Sequence, residues 1–311
     1  MGRVRHGAWL VVALLACTVG GTAAGAQVRQ GVMSLEDARI AYEVLGAGDP
    51  IFVVHGGPGL DHAYLRPGLD ALGSHAEVVY WDQRGTGDSE AMLDSTTISW
   101  DAFLGDMDRL RQMLGYERVA VLGHSFGGLL ALDYARRYPE HTRAVILLNS
   151  TEPGRRWADE TRAALRNART SADSVRMAEL AVSEGFGARD PATMSAYYRT
   201  AFRASMRHPD RVAELELDLA PRTARNGPDV ARLLGGSLGP VDWWSWLETL
   251  DAPLLVLHGR YDAIPEEMAR TLAETVPHGR YVALEGGHFP WLGDAPGMVA
   301  AISTFLAGLD R

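Results

Sequence analysis

The run Val119-Ala120-Val121-Leu122-Gly123-His124-Ser125-Phe126-Gly127-Gly128 carries an apolar stretch into Gly-x-Ser-x-Gly and on into a helical pattern. Glycines two residues either side of a serine permit a strand-to-helix turn tight enough to hold its hydroxyl exposed at a sheet edge, which makes Ser125 the candidate nucleophile. A serine hydroxyl attacks poorly near neutral pH, so it needs a base within hydrogen-bond reach and a third group orienting that base. Asp262 lies downstream in Gly259-Arg260-Tyr261-Asp262-Ala263-Ile264-Pro265, and His288 in Glu285-Gly286-Gly287-His288-Phe289-Pro290. Singly, the first reads as a helix cap and the second as a loop histidine. Each follows an apolar run, however, and the order serine, acid, histidine suits a serine on such an elbow, so they become the orienting acid and the general base. Attack on a carbonyl also needs N–H donors for the oxyanion that develops. His55-Gly56-Gly57-Pro58-Gly59 follows another apolar run, and its glycines let backbone approach a substrate; the amides of Gly57 and Phe126 are assigned to an oxyanion hole.

These residues must be positioned by a sheet. Short apolar runs alternate with helical patterns, the mark of an α/β chain with a mostly parallel sheet and helices on both faces. Strands are expected at Val32 to Glu36, Arg39 to Val44, Ile51 to His55, Glu77 to Trp81, Val119 to Gly123, Ala144 to Leu148, Leu254 to His258 and Tyr281 to Glu285, eight in all. Phe103, Met107, Leu110 and Leu114 recur at helical spacing between Asp101 and Leu114, and further helices are expected at Leu129 to Tyr138, Glu266 to Thr275 and Met298 to Leu309. Residues 151–250 are rich in Arg, Ala and acids and show no strand pattern, so they read as a helical cap inserted between core segments 27–150 and 251–311. Trp243, Trp244 and Trp246 fall where this insertion rejoins the core; they suit packing there, and Trp243 and Trp244 are candidates to line a pocket. Asp82, Arg84 and Ser89 are expected to tie down the turn after the fourth strand through an internal ion pair and hydrogen bonds, and His55 and His258 to be hydrogen-bonded structural histidines.

Composition narrows the chemistry. The chain of 311 residues is 47% hydrophobic and 22% charged, ordinary for a globular protein, and its formal charge of −9 argues against nucleic acid as a partner. It contains no lysine, which removes Schiff-base chemistry, a Ser-Lys dyad and a Walker-type phosphate loop. The single cysteine, Cys17, lies in the N-terminal apolar stretch, and no metal-binding spacing is present, so neither a metal nor a cofactor is expected. Residues 1–26 read as a secretory signal: Arg3 and Arg5, an apolar run from Ala8 to Val19, then Ala24-Gly25-Ala26. The run is shorter than the ~20 residues of a spanning helix, so no stable membrane span is expected in the mature chain. Cleavage would leave Gln27 first in an exported protein. Leu14-Leu15-Ala16-Cys17 resembles a bacterial lipoprotein box, and by that reading Cys17 carries a lipid anchor.

His55-Gly56-Gly57-Pro58-Gly59, the stretch Asp82 to Ser89 (DQRGTGDS) and Gly123 to Gly128 (GHSFGG) together resemble the proline iminopeptidase group of α/β-hydrolases, over everything from about Val32 onward except the cap. One departure is His124-Ser125-Phe126, where that group commonly carries Gly-Ser-Trp; the variant is equally at home in esterases. The resemblance implies an α/β-hydrolase fold and a cofactor-free attack on an amide or ester of a small-molecule or short-peptide substrate. It favours an N-terminal exopeptidase over a carboxylesterase, and either over a non-catalytic binding protein that keeps the fold. Proline iminopeptidases hold a substrate's α-amino group with cap glutamates, which makes Glu184, Glu214 and Glu216 the candidates here.

Overall fold

The computed structural model describes residues 28–309. The expected leader, its cleavage site and Cys17 lie outside the described residues. Nine strands form one sheet: β1 (Val28–Ser34), β2 (Ala38–Gly46), β3 (Pro50–Val54), β4 (Glu77–Trp81), β5 (Glu90–Ala91), β6 (Val119–His124), β7 (Thr142–Leu148), β8 (Leu254–Gly259) and β9 (Gly279–Leu284). Their order is β1-β2-β4-β3-β6-β7-β8-β9, with the two-residue β5 pairing only with β2. Pairing is antiparallel at β1-β2, β2-β4 and β2-β5 and parallel from β4 across to β9.

Parallel strands covered on both faces should be apolar at successive positions, and the central ones are. Phe52, Val54, Val121, Val145, Leu147, Leu254 and Val256 enter one core, whereas Ile51, Val53, Ala120, Leu122, Ile146, Leu255 and Leu257 enter the other. Helices Trp100–Leu114, Gly127–Arg137 and Glu266–Thr275 cover the first face with Phe103, Met107, Leu110, Leu130 and Leu272; helix Trp291–Ala307 covers the second with Met298, Ile302 and Phe305. Between β7 and β8 the chain contains helices and no strand, including Ala158–Ala168, Ser171–Ala181, Pro191–Phe202 and Pro221–Leu238.

The first strand differs from the expectation of Val32 to Glu36. It starts at Val28 and ends at Ser34, where the hairpin turns and Leu35 N–H reaches Ala38 C=O. It is an edge strand with only Met33 buried, so it lacks the alternation that would mark its ends. The turn after β4 is also tied differently. Ser89 donates to Asp82 C=O at 2.7 Å as expected, but Asp82 does not pair with Arg84. Its carboxylate accepts from His62 Nδ1 at 2.8 Å and from the Asp88 amide at 2.9 Å. Arg84, fully buried, instead forks onto Asp106 at 2.6 and 2.9 Å and onto Asp37 at 2.6 and 3.2 Å. A buried guanidinium needs several acceptors at once, which these two carboxylates supply.

Candidate active site

β6 delivers Ser125 to the carboxyl end of the sheet. The turn is tight enough that Ser125 adopts φ 54°, a left-handed conformation uncommon for a residue with a side chain. A Cβ on Gly123 would lie 2.4 Å from Gly127 O, and one on Gly127 would lie 2.2 Å from Val54 O, so both glycines of the motif are sterically required. The Ser125 backbone is fully engaged: its N–H donates to Leu148 O at 3.1 Å, and its carbonyl accepts from Gly128 and Thr151 at 3.0 Å each.

His288, on the loop after β9, places Nε2 3.0 Å from Ser125 Oγ and Nδ1 2.8 Å from Asp262 Oδ2. The carboxylate must accept, so Nδ1 carries hydrogen and Nε2 is left to take the serine proton. Asp262, on the loop after β8, also accepts from Asn149 Nδ2 at 2.7 Å and from the Ile264 amide at 3.2 Å. Burial works against its charge, but His288, His258 and Asn149 outweigh burial and hold the carboxyl below its ordinary range. The backbone of His288 is held as well: its N–H donates to Ser205 O at 2.7 Å, and its carbonyl accepts from His124 Nε2 at 2.9 Å. Ser205 belongs to the helical insertion, as does Phe202, whose ring stacks on His288 at 6.3 Å.

The glycine loop after β3 backs onto the serine, since a Cβ on Gly56 would lie 3.0 Å from Ser125 Cβ. His55 Nε2 accepts from the Gln83 amide at 3.1 Å, so its hydrogen is on Nδ1, 3.0 Å from Gly56 O. Burial pushes His55 down despite nearby Asp82, which keeps the ring neutral in that tautomer. Carbonyl and N–H point opposite ways across a trans peptide, so holding Gly56 O aims the Gly57 N–H away from the His55 ring. Phe126, whose amide follows Ser125, heads the elbow helix, and its ring meets Trp100 at 5.8 Å.

The pocket candidates fare unevenly. Trp243 is half-buried, 6.3 Å from the Trp100 ring that touches Phe126, which leaves it one ring removed from the elbow. Trp244 is 2% exposed, packed on Trp157 at 5.4 Å under the Arg156 guanidinium, so it belongs to the core rather than to a pocket wall. Glu184, Glu214 and Glu216 are all exposed, and among the described residues no contact joins them to Ser125, Asp262 or His288. Glu214 is forked onto Arg211 at 2.7 and 2.5 Å. Glu216 alternates with buried Leu215, Leu217 and Leu219, and in an extended segment that alternation turns its carboxylate outward.

A second close approach fixes the insertion over the glycine loop. A Cβ on Gly59 would lie 2.2 Å from Gly227 O, and one on Gly227 would lie 2.3 Å from Gly59 O, so helix Pro221–Leu238 crosses the loop backbone to backbone. Thr223 on that helix donates to Asp61 Oδ2 at 2.6 Å and accepts from the Gly87 amide at 2.8 Å. Among the described residues no group of acids, histidines or cysteines is arranged to hold a metal ion, and no helix is long and apolar enough to cross a membrane.

The sequence profile of the family described as alpha/beta hydrolase fold matches residues 49–295. The chain belongs to this α/β-hydrolase family. This hydrolase is 25% identical, over 89% of its length and 98% of the relative's, to a proline iminopeptidase of Heyndrickxia coagulans. Among solved structures it is similar to a proline iminopeptidase-related protein of Thermus thermophilus, with 27% identity, TM-score 0.65, and coverage of 91% of this chain and 98% of the other. It is also similar to a thermophilic esterase of Thermogutta terrifontis, at 25% identity and TM-score 0.67, covering 91% and 100%.

Asn149, Tyr64, Phe202 and Ser205 were not among the residues singled out by sequence. Asn149 had a signal available, because it directly follows β7 at the strand end where ligand-facing groups gather. Tyr64 and Ser205 sit in three-residue helical turns and Phe202 at the end of helix Pro191–Phe202, with no local motif to announce them.

Proposed function

We propose that the protein is a serine hydrolase that cleaves an amide or ester of a small substrate through an acyl-enzyme on Ser125. The observation that carries this reading is the unbroken relay from Ser125 Oγ to His288 Nε2 at 3.0 Å and from His288 Nδ1 to Asp262 at 2.8 Å. As Oγ bonds to the carbonyl carbon, its proton passes to Nε2 and Asp262 stabilises the imidazolium. The oxyanion is received by the amides of Gly57 and Phe126. Collapse expels the amine or alcohol, which takes the proton from Nε2, and water then hydrolyses the ester in the same manner. The helical insertion between β7 and β8 acts as the cap over this site.

Within this class we favour an aminopeptidase of the proline iminopeptidase kind, which the curated relatives of nearly the same length support. A carboxylesterase is the second reading, favoured because Glu184, Glu214 and Glu216 are exposed and, among the described residues, the only partner seen for them is Arg211 on Glu214, so nothing places any of them as the partner of an α-amino group. One substrate scaffold settles the choice, offered as an amino-acid β-naphthylamide, its N-acetyl form and a p-nitrophenyl ester. The peptidase reading expects the free amine to be cleaved and the acetylated form to be poor. Equal rates with and without acetyl, together with fast ester turnover, would replace it by the esterase. We further propose that the chain is exported, with Gln27 or a lipidated Cys17 at its mature N-terminus. Intact-mass analysis of the natural protein distinguishes these, and Met1 on cytoplasmic protein overturns both.

A further inference from the structure

Three loops converge on the reacting serine, and one buried hydrogen-bonded chain ties them together. Tyr64 is 1% exposed and its hydroxyl accepts from the Gly56 amide at 2.8 Å. The same hydroxyl lies 2.8 Å from His124 Nδ1, and His124 Nε2 lies 2.9 Å from the carbonyl of His288. The proton positions follow from the partners. A carbonyl only accepts, so Nε2 carries hydrogen. Burial, with His288 nearby, pushes His124 down to about 3, so the ring is neutral at working pH and Nδ1 is bare. Tyr64 O–H therefore donates to Nδ1 while accepting from Gly56, and every donor and acceptor in the chain is matched. Its rings are walled by Phe289 and Trp291, at 5.7 and 5.4 Å from His124, which excludes water as a substitute partner.

Resting on the serine hydrolase reading, we infer that Tyr64 and His124 are positioning residues that couple the oxyanion loop to the base loop. Tyr64 holds the N–H of Gly56 while His55 holds its carbonyl, so Gly56 is pinned on both sides and the following peptide, which presents the Gly57 amide, is held in orientation. His124, between Gly123 and Ser125, passes that constraint to the backbone of His288. A role confined to stability predicts something different: it lowers the melting temperature without separating binding from catalysis.

The test uses the full chain, a cleaved substrate and a boronic acid that forms a tetrahedral adduct on serine. Fluorophosphonate labelling of wild type comes first; no labelling would overturn the serine reading, whereas labelling with a null result below would overturn only the coupling. Tyr64→Phe keeps the ring and deletes the hydroxyl. Losing a whole oxyanion donor costs about 10²–10³ in kcat, so misaiming one is expected to lower kcat about ten- to a hundredfold with KM held within about twofold. Boronate affinity is expected to fall in parallel. His124→Asn offers an acceptor near the former Nδ1, and His124→Leu offers none, so the Asn variant should keep several times more boronate affinity. Wild-type kcat and boronate affinity in Tyr64→Phe, or equal losses in the two His124 variants, would overturn the inference. Should Tyr64→Phe fail to fold, the His124 pair decides alone.

Discussion

Replacing Gly227 by alanine sets two opposing effects against each other. Inside a helix, alanine is favoured over glycine by about 1 kcal/mol, so propensity alone expects a more stable protein. At Gly227 the new Cβ would stand 2.3 Å from the carbonyl oxygen of Gly59, a backbone atom that cannot swing aside. Ordinary separation requires a shift of roughly 1 Å between helix Pro221–Leu238 and the glycine loop. Pro228 follows directly and disfavours a Cβ on its predecessor in helical conformation, which adds strain of the same sign. Overpacking of this kind costs about 1–3 kcal/mol, so it outweighs propensity and the variant is expected to be less stable than wild type. Activity should suffer more. The loop that moves carries the Gly57 amide, and a misplacement of about 1 Å can cost about 10²-fold in rate. Gly236→Ala in the same helix is the control, because no atom lies within 4 Å of its Cβ position, and it should gain stability with activity unchanged. Thermal melts and kcat/KM for the three proteins test the reasoning. A Gly227→Ala protein that is both stabilised and fully active would refute it.

Ser125→Ala is expected to abolish turnover and fluorophosphonate labelling while the melting temperature stays near wild type, since it removes one half-exposed oxygen and little packing. Asp262→Asn should lower kcat by up to about 10⁴ by favouring the wrong histidine tautomer, if the loss measured in serine proteases carries over; steady-state kinetics decide it. Asn149→Gly removes the 2.7 Å hydrogen bond to Asp262 without straining the φ of 46°, and hydrogen bonds to charged groups are worth about 1.5–3 kcal/mol, so kcat should fall about tenfold or more. An unchanged kcat would make Asn149 a bystander. Burial alone would depress His62, but the hydrogen bond to Asp82 and the nearby Glu43 carboxylate raise it to about 10. Because its folded-state pKa exceeds the ordinary 6.5, this group's contribution is complete below that pH and is lost as pH rises toward about 10. The melting temperature should decline over that window, and His62→Asn should flatten the decline.

The proposed triad is legible in the sequence because each member sits just past an apolar strand, within a few residues of glycines that mark a turn. The sheet is legible for the same reason at β3, β4, β6, β7 and β8, whose continuous apolar runs reflect burial on both faces. β1 is not, since an exposed edge strand imposes no pattern on its residues. The pairing of Arg84 with Asp106 and Asp37 spans 22 and 47 positions, and no local spacing announces such a contact. Tyr64 and His124 lie 60 apart and meet only because β3 and β6 are neighbours in the sheet. The outward turn of Glu216 is written in the alternation of Leu215, Leu217 and Leu219, a strand-like period inside a stretch otherwise read as helical.

The hydrogen bond from the His288 amide to Ser205 bears on how this enzyme can be re-engineered. Insertions between β7 and β8 invite treatment as exchangeable modules, to be swapped between relatives so that one core acquires another's substrate range. Here the donated part would have to bring its own carbonyl to His288, at the same height and angle, or the recipient would gain a new pocket and lose the alignment of its proposed base. A productive chimera therefore has its seams placed outside residues 202–207, with that short stretch inherited together with the core it serves.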